Sequence, residues 1–140
     1  MELMLYVADD IQTMSNGKCV AMGLYTDRVI QIDDAQGKGR RPSPAEPAGM
    51  SSLGLLATIM GLPGGKHEVV AFLVDPSGRK MPYEIPSQVA DVPTNATGVN
   101  LLFNFAPFVI PLLGLYKFVV AVDGRELEAT FEVRETPKSA

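Results

Sequence analysis

At 140 residues, with 46% apolar and 20% charged side chains, the chain is long enough to bury a core without a metal or a disulfide. Its 12 Lys and Arg against 16 Asp and Glu leave a net charge of -4, which supports solubility and argues against nucleic acid as a partner, because that needs a surplus of cations against phosphate. The mean hydropathy of +0.13 argues against a mostly disordered chain, and no apolar run reaches the roughly 18 residues of a spanning helix, so no membrane partner is expected.

The first apolar run, residues 3–8 (LMLYVA), reads as a strand. It is short and has Glu2 before it and Asp9-Asp10 after it, unlike the basic start and longer apolar region of a secretory leader, so a cytoplasmic location is expected. Ser15-Asn16-Gly17-Lys18 separates it from a second run, CVAMGLY. Asn-Gly tolerates the positive φ of a type I′ turn, which predicts an antiparallel hairpin. Cys19, the single cysteine, lies in that run and reads as a small buried hydrophobe; one thiol also excludes an intramolecular disulfide and a multi-thiolate metal centre. Residues 28–32 (RVIQI) alternate polar with apolar and predict a third strand.

Residues 34–49 (DAQGKGRRPSPAEPAG) change character. Glycine, proline and mixed charge without an apolar period predict a flexible loop, and Arg40-Arg41 is too small a basic patch to imply nucleic acid. Residues 51–60 (SSLGLLATIM) are read as a strand rather than a short helix. Residues 68–74 (EVVAFLV) are apolar on both parities and suggest a central strand covered on both faces, closed by a turn at Asp75-Pro76-Ser77-Gly78. Residues 80–85 return as an edge strand, with Pro82 where no ladder donor is needed, and 86–97 form a loop. Gly98–Phe105 alternates, with Val99, Leu101, Phe103 and Phe105 on one face. Residues 116–134 alternate likewise on either side of Asp123-Gly124, a terminal hairpin with one buried and one wet face. The tail, 135–140, is expected to be disordered.

Short strands without a credible helix predict an all-β chain, and the expected fold is an immunoglobulin-like antiparallel β-sandwich forming one domain over residues 1–134. The run GLYKFVVAVDGRELEATFEV looks like the last two strands of many such domains, where a tyrosine entering the penultimate strand fixes the corner. The chain also resembles an uncharacterised family of small bacterial single-domain β-sandwich proteins of unknown function. The residues that carry this are Asp9-Asp10, Gly17-Lys18, Gly23, Gly114-Leu115-Tyr116-Lys117-Phe118 and Asp123-Gly124. The resemblance implies a bacterial or phage-borne cytoplasmic domain and brings no activity or catalytic residue with it.

The residues themselves supply no catalytic constellation, so no enzyme and no cofactor is expected. The sole histidine, His67, follows Gly-Gly-Lys and reads as a surface loop residue without a serine or cysteine to activate. The glycine-rich GLPGGKH lacks the spacing of a phosphate loop and the Ser or Thr that would hold magnesium. Asp9-Asp10 and Asp33-Asp34 read as solvated strand ends rather than hard-cation ligands, for want of the spacing such sites use. Asn95-Ala96-Thr97 matches a glycosylation acceptor with no secretory context, and the absence of Trp weighs against a sugar platform.

What remains is a non-enzymatic protein-interaction or structural module, with a protein partner or a second copy of the chain as its ligand; a small-ligand or metal-binding sandwich is the alternative. The stretch NFAPFVIPLLGLY (104–116) carries more apolar residues than a corner between two strands needs. Phe108, Val109, Ile110, Leu112 and Leu113 are therefore the expected interface, through which the chain is expected to self-associate over residues 105–113. The edge at 80–85 is a second candidate surface.

Overall fold

The computed structural model describes residues 1–16, 18–32 and 41–136, and it is all-β. Four strands, β1 (Glu2–Thr13), β2 (Cys19–Tyr25), β5 (Leu53–Met60) and β8 (Gly98–Phe105), form an antiparallel sheet in the order β2-β1-β5-β8. Five others, β3 (Val29–Ile32), β6 (Gly65–Val74), β7 (Gln88–Val92), β10 (Gly114–Val122) and β11 (Arg125–Glu135), form a second sheet in the order β3-β11-β10-β6-β7. The short β4 (Ala48–Met50) and β9 (Phe108–Ile110) pair with each other. Among the described residues no helix is long and apolar enough to cross a membrane.

Alternation puts one side of each large sheet into a shared core. Leu5 and Val7 of β1, Leu55 and Ile59 of β5, and Phe103 of β8 face Val69 and Leu73 of β6, Phe118 and Val120 of β10, and Phe131 of β11. The rings of Phe103 and Phe118 meet edge-on across the layers, 5.0 Å apart. Each such side chain contributes about 1.5–3 kcal/mol on burial. A slip of one residue in any ladder would turn its apolar set outward, so the core also fixes the register.

The terminal hairpin forms as its alternation predicts, with Tyr116 opposite Phe131 and Val122 opposite Arg125. The β1/β2 hairpin, β5 as a strand and β8 also follow the sequence. Other expectations fail for identifiable reasons. Residues 80–85 make only an isolated bridge, Val74 to Lys80, plus the Met81 N–H donating to the Leu73 carbonyl (2.8 Å); Pro82 and Pro86 deny that stretch a ladder. The edge strand is instead β7, inside the segment expected to be a loop, where Ala90 and Val92 point inward and Val89 outward. β6 is not covered on both faces: Val70 is exposed, and Phe72 is half-buried with the Lys80 ammonium 4.9 Å from its ring centroid. The expected loop 34–49 ends as strand β4; its residues 34–40 lie outside the described residues. β3 runs parallel to β11 in an otherwise antiparallel sheet, pairing Glu135 with Ile32, so the expected tail begins as strand; its residues 137–140 lie outside the description.

Cys19 is exposed, not buried. β2 is an edge strand that pairs with β1, and every residue from Lys18 to Leu24 is exposed. The apolar run in β2 is therefore not a core signal.

The Tyr116 side chain is wholly buried, and its hydroxyl donates to the Leu112 carbonyl (2.6 Å) and accepts from the Leu112 N–H (3.4 Å). Burial pushes its pKa up to about 12. The bond pins the chain where it passes from β9 into β10. Tyr116→Phe keeps the ring and strips the donor from a part-buried carbonyl, so it should lower unfolding free energy by about 1–2 kcal/mol, read from denaturant midpoints at unchanged slope.

Candidate functional site

The two large sheets present different faces to the outside. On the five-stranded sheet, β11 turns Glu126, Glu128 and Thr130 outward, and Lys117 of β10 pairs with Glu128 at 3.4 Å. β11 keeps this face wet, as is usual for an antiparallel sheet, although Val70 of β6, Val89 of β7 and Leu115 of β10 are exposed on it too. On the four-stranded sheet the corresponding rows are apolar. Tyr6 stands opposite Leu56, which stands opposite Leu102, and Glu2 opposite Met60. Beside them β2 turns Met22 and Leu24 outward. Met4, Tyr6, Met22, Leu24 and Met60 are each between 38% and 50% exposed, more than single scattered surface residues account for. The polar members of this face are tied to each other: the Thr58 hydroxyl donates to the Asn100 side-chain oxygen (2.7 Å).

Gly54 shapes one end of this face. A Cβ there would stand 2.9 Å from Ile11 Cγ1, so only glycine lets the far half of β1 cross over β5 with Ile11 buried against it. Asn104 Nδ2 donates to the Ile11 carbonyl (3.0 Å), and the Ser52 hydroxyl donates to the Asp9 carbonyl (2.6 Å). The Tyr25 hydroxyl donates to the Asp9 carboxylate, and the tyrosine pKa is pushed up to about 12 by burial, then by that bond and the carboxylate charge. Gly23, at φ 68°, leaves room for the carboxylate. Asp10 accepts instead from Gln12 Nε2 (3.0 Å). Asp33-Asp34 lies outside the described residues, and among those described no three His, Cys, Asp or Glu side chains are placed to hold a metal.

A groove of about 620 Å³ opens between residues 83–88 and the end of β8, with Phe103, Phe105 and Tyr83 among its walls and Glu84 and Gln88 along it. Its wall is built by stacking: Tyr83 lies parallel to Phe108 at 5.8 Å and tilts against Phe105 at 4.9 Å, while its hydroxyl accepts from the Val109 N–H (2.7 Å).

The expected interface residues do not come together as a patch. Phe108 and Ile110 are fully buried in the core, Leu112 and Leu113 are half-buried, and Val109 alone is well exposed. The apolar surplus of 104–116 fills the core and pairs with β4, so Phe108 and Ile110 are withdrawn as interface residues. Sequence reasoning missed Met4, Tyr6, Met22 and Leu24. Their signal was present: residues 3–8 and CVAMGLY are apolar on both parities, and only one parity can face the core.

Residues 42–134 match the model of a family of unknown function, DUF6941. The chain belongs to that family. The DUF6941 match begins before β4 and ends within β11, so it contains the groove, Tyr116 and the Asp123-Gly124 turn but leaves β1, β2 and β3 outside it. No curated protein and no solved structure matches the chain.

His67 is not a loop residue. It sits in β6 and is mostly buried, with Nε2–H donating to the Pro63 carbonyl (2.8 Å) and Nδ1 lying 2.7 Å from Asp123 Oδ2. Both partners are acceptors, so the arrangement favours the protonated imidazole, which has a donor on each ring nitrogen. Asp123 Oδ1 accepts from the Glu68 N–H (2.9 Å), and the Asp123 N–H donates to the Glu68 carbonyl (2.9 Å). The Asp123 bond, then the Pro63 bond, hold the histidine pKa above its ordinary 6.5 against the pull of burial; the His67 bond, then Glu68, holds Asp123 below its ordinary 3.8. A raised histidine stabilises fully below 6.5 and less as pH climbs through its folded value, whereas a depressed carboxylate stabilises above 3.8 and less as pH falls. The latch between β6 and the β10/β11 turn is therefore strongest between those two values. Melting temperature should fall as pH rises past neutrality, and His67→Gln should remove that part of the slope; an identical slope in the variant would refute the latch.

Proposed function

We propose that this domain is a non-enzymatic protein-binding module that receives its partner on the outer face of the four-stranded sheet. The observation that carries the reading is the set of large apolar side chains that the four-stranded sheet leaves exposed, Met4, Tyr6, Met22, Leu24 and Met60, three of them methionines. Methionine is unbranched and polarizable and adapts to the shape of what it meets, and tyrosine supplies area at low entropic cost. The architecture is read as immunoglobulin-like. Support for that comes from β5 and β8 pairing in one sheet, β6, β10 and β11 in the other, and a tyrosine at the corner before the penultimate strand.

The interface proposed here replaces the 105–113 segment, of which only Ala106, Pro107 and Val109 are well exposed. A photoreactive residue at Tyr6, introduced in cells, should give a crosslinked band of defined mass, and the same residue at Glu126 on the wet face should not. Equal crosslinking at both positions would sink the reading. With the photoreactive residue kept at Tyr6, Met4→Lys should abolish the band while leaving the circular dichroism spectrum unchanged.

The groove beside Tyr83 favours a second reading, small-ligand binding, because its volume of about 620 Å³ suits a small molecule and aromatic rings wall it. A compound that raises the melting temperature of the wild type but not of Ser87→Trp, which fills the lip, supports it. A metabolite panel that moves neither removes it.

A further inference from the structure

We propose that two copies of this domain join through β2, strand against antiparallel strand. The inference rests on the reading of the domain as an interaction module and names a second copy of the chain as one of its partners. β2 is an edge strand of seven residues, CVAMGLY, with neither charge nor proline. It lacks two of the usual devices that keep an edge from pairing. Lys18 to Leu24 is exposed on both faces, and a two-stranded ribbon in water is marginal without a third strand.

The hydrogen-bond parity of the hairpin shows which groups the edge offers. The Met14 N–H donates to the Lys18 carbonyl (2.7 Å), and Val20 and Met22 stand opposite Gln12 and Asp10. In an antiparallel ladder the bonded pairs alternate, so the even-numbered residues of β2 bond to β1. Cys19 and Ala21 then aim their N–H and C=O groups away from the sheet. Beyond Met22 the straight stretch ends at Gly23, whose φ of 68° bends the strand.

Charge selects the occupant. The straight stretch has Lys18 at one end, and at the other Met22 lies beside Asp10 on β1. Antiparallel self-pairing centred on Val20 places Lys18 of each copy opposite Met22 of the other, on the face that carries Asp10. A two-fold axis makes the contact twice. Each copy carries a net charge of -4, so two copies approach most readily where a cation of one meets an anion of the other and the strand between is neutral.

Light scattering on the wild-type protein should give twice the 15.0 kDa of one chain. Ala21→Pro deletes an outward N–H without removing a bond to β1 and should halve that mass; Val20→Lys, which places two cations on the axis, should do the same. In a Cys19→Ser background, Val20→Cys should crosslink to a dimer under mild oxidation, because residues facing themselves in a non-bonded antiparallel pair have Cα atoms about 4.5 Å apart, within disulfide reach. A monomeric wild type, a dimer that survives Ala21→Pro, or a Val20→Cys protein that stays reduced overturns the proposal. Met4→Lys, on the neighbouring strand, should keep the dimer mass while abolishing the crosslink from a photoreactive residue at Tyr6 to another protein, so self-pairing and the module reading fail separately.

Discussion

Phe108 meets four rings: it stacks on Tyr83 at 5.8 Å and tilts against Phe105 at 6.0 Å, Tyr116 at 6.0 Å and Phe131 at 6.2 Å. Those rings come from the segment before β7, from β8, from β10 and from β11, so this side chain of the shortest sheet ties both large sheets together. It is fully buried. Aromatic pairs at such distances add about 0.5–1.5 kcal/mol each beyond area burial. Tyr116 extends the cluster by stacking on Phe131 at 5.4 Å, and its hydroxyl holds the backbone that delivers Phe108. The groove wall, the corner and the centre of the core thus share one set of rings.

With the core organised there, the two ends of the molecule differ in kind. The β10/β11 turn is clamped by His67 and by the Asp123 carboxylate, which also holds the start of β6. The β1/β2 hairpin is held by neutral contacts as well as the Asp9–Tyr25 bond: the Ser52 and Asn104 side chains donate to the Asp9 and Ile11 carbonyls, and Ile11 packs over Gly54.

Periodicity was legible where one face is core and the other is water. The β10/β11 hairpin is such a case: Tyr116, Phe118 and Val120 alternate with residues of the outer face, and the observed register follows. It misled where a strand is apolar on both faces. β6 and β2 have the same appearance in sequence, yet β6 lies between two strands and β2 lies at an edge. Pairing partners are not written in a strand's own residues, so Cys19 was placed inside and Met22 was overlooked. The 104–116 stretch shows the converse error. Its prolines mark a corner correctly, but Phe108 and Ile110 belong to the core because β4, hidden at the end of a proline-rich loop, comes to pair with them. His67 was legible only as a residue type, since its partner Asp123 lies far along the chain and reads locally as nothing more than a turn residue.

The parallel pair β3–β11 joins residues near the two ends of the described chain, Val29 with Glu132 and Ile32 with Glu135. During synthesis β3 emerges early and must wait, unpaired in that sheet, until β11 has been made, whereas the β1/β2 hairpin needs only its own turn. Contacts this distant along the chain make folding slow compared with local ones. The pairing of β3 thus joins an old strand to a new one, whereas every residue that the β1/β2 pairing needs is present before β3 has been made.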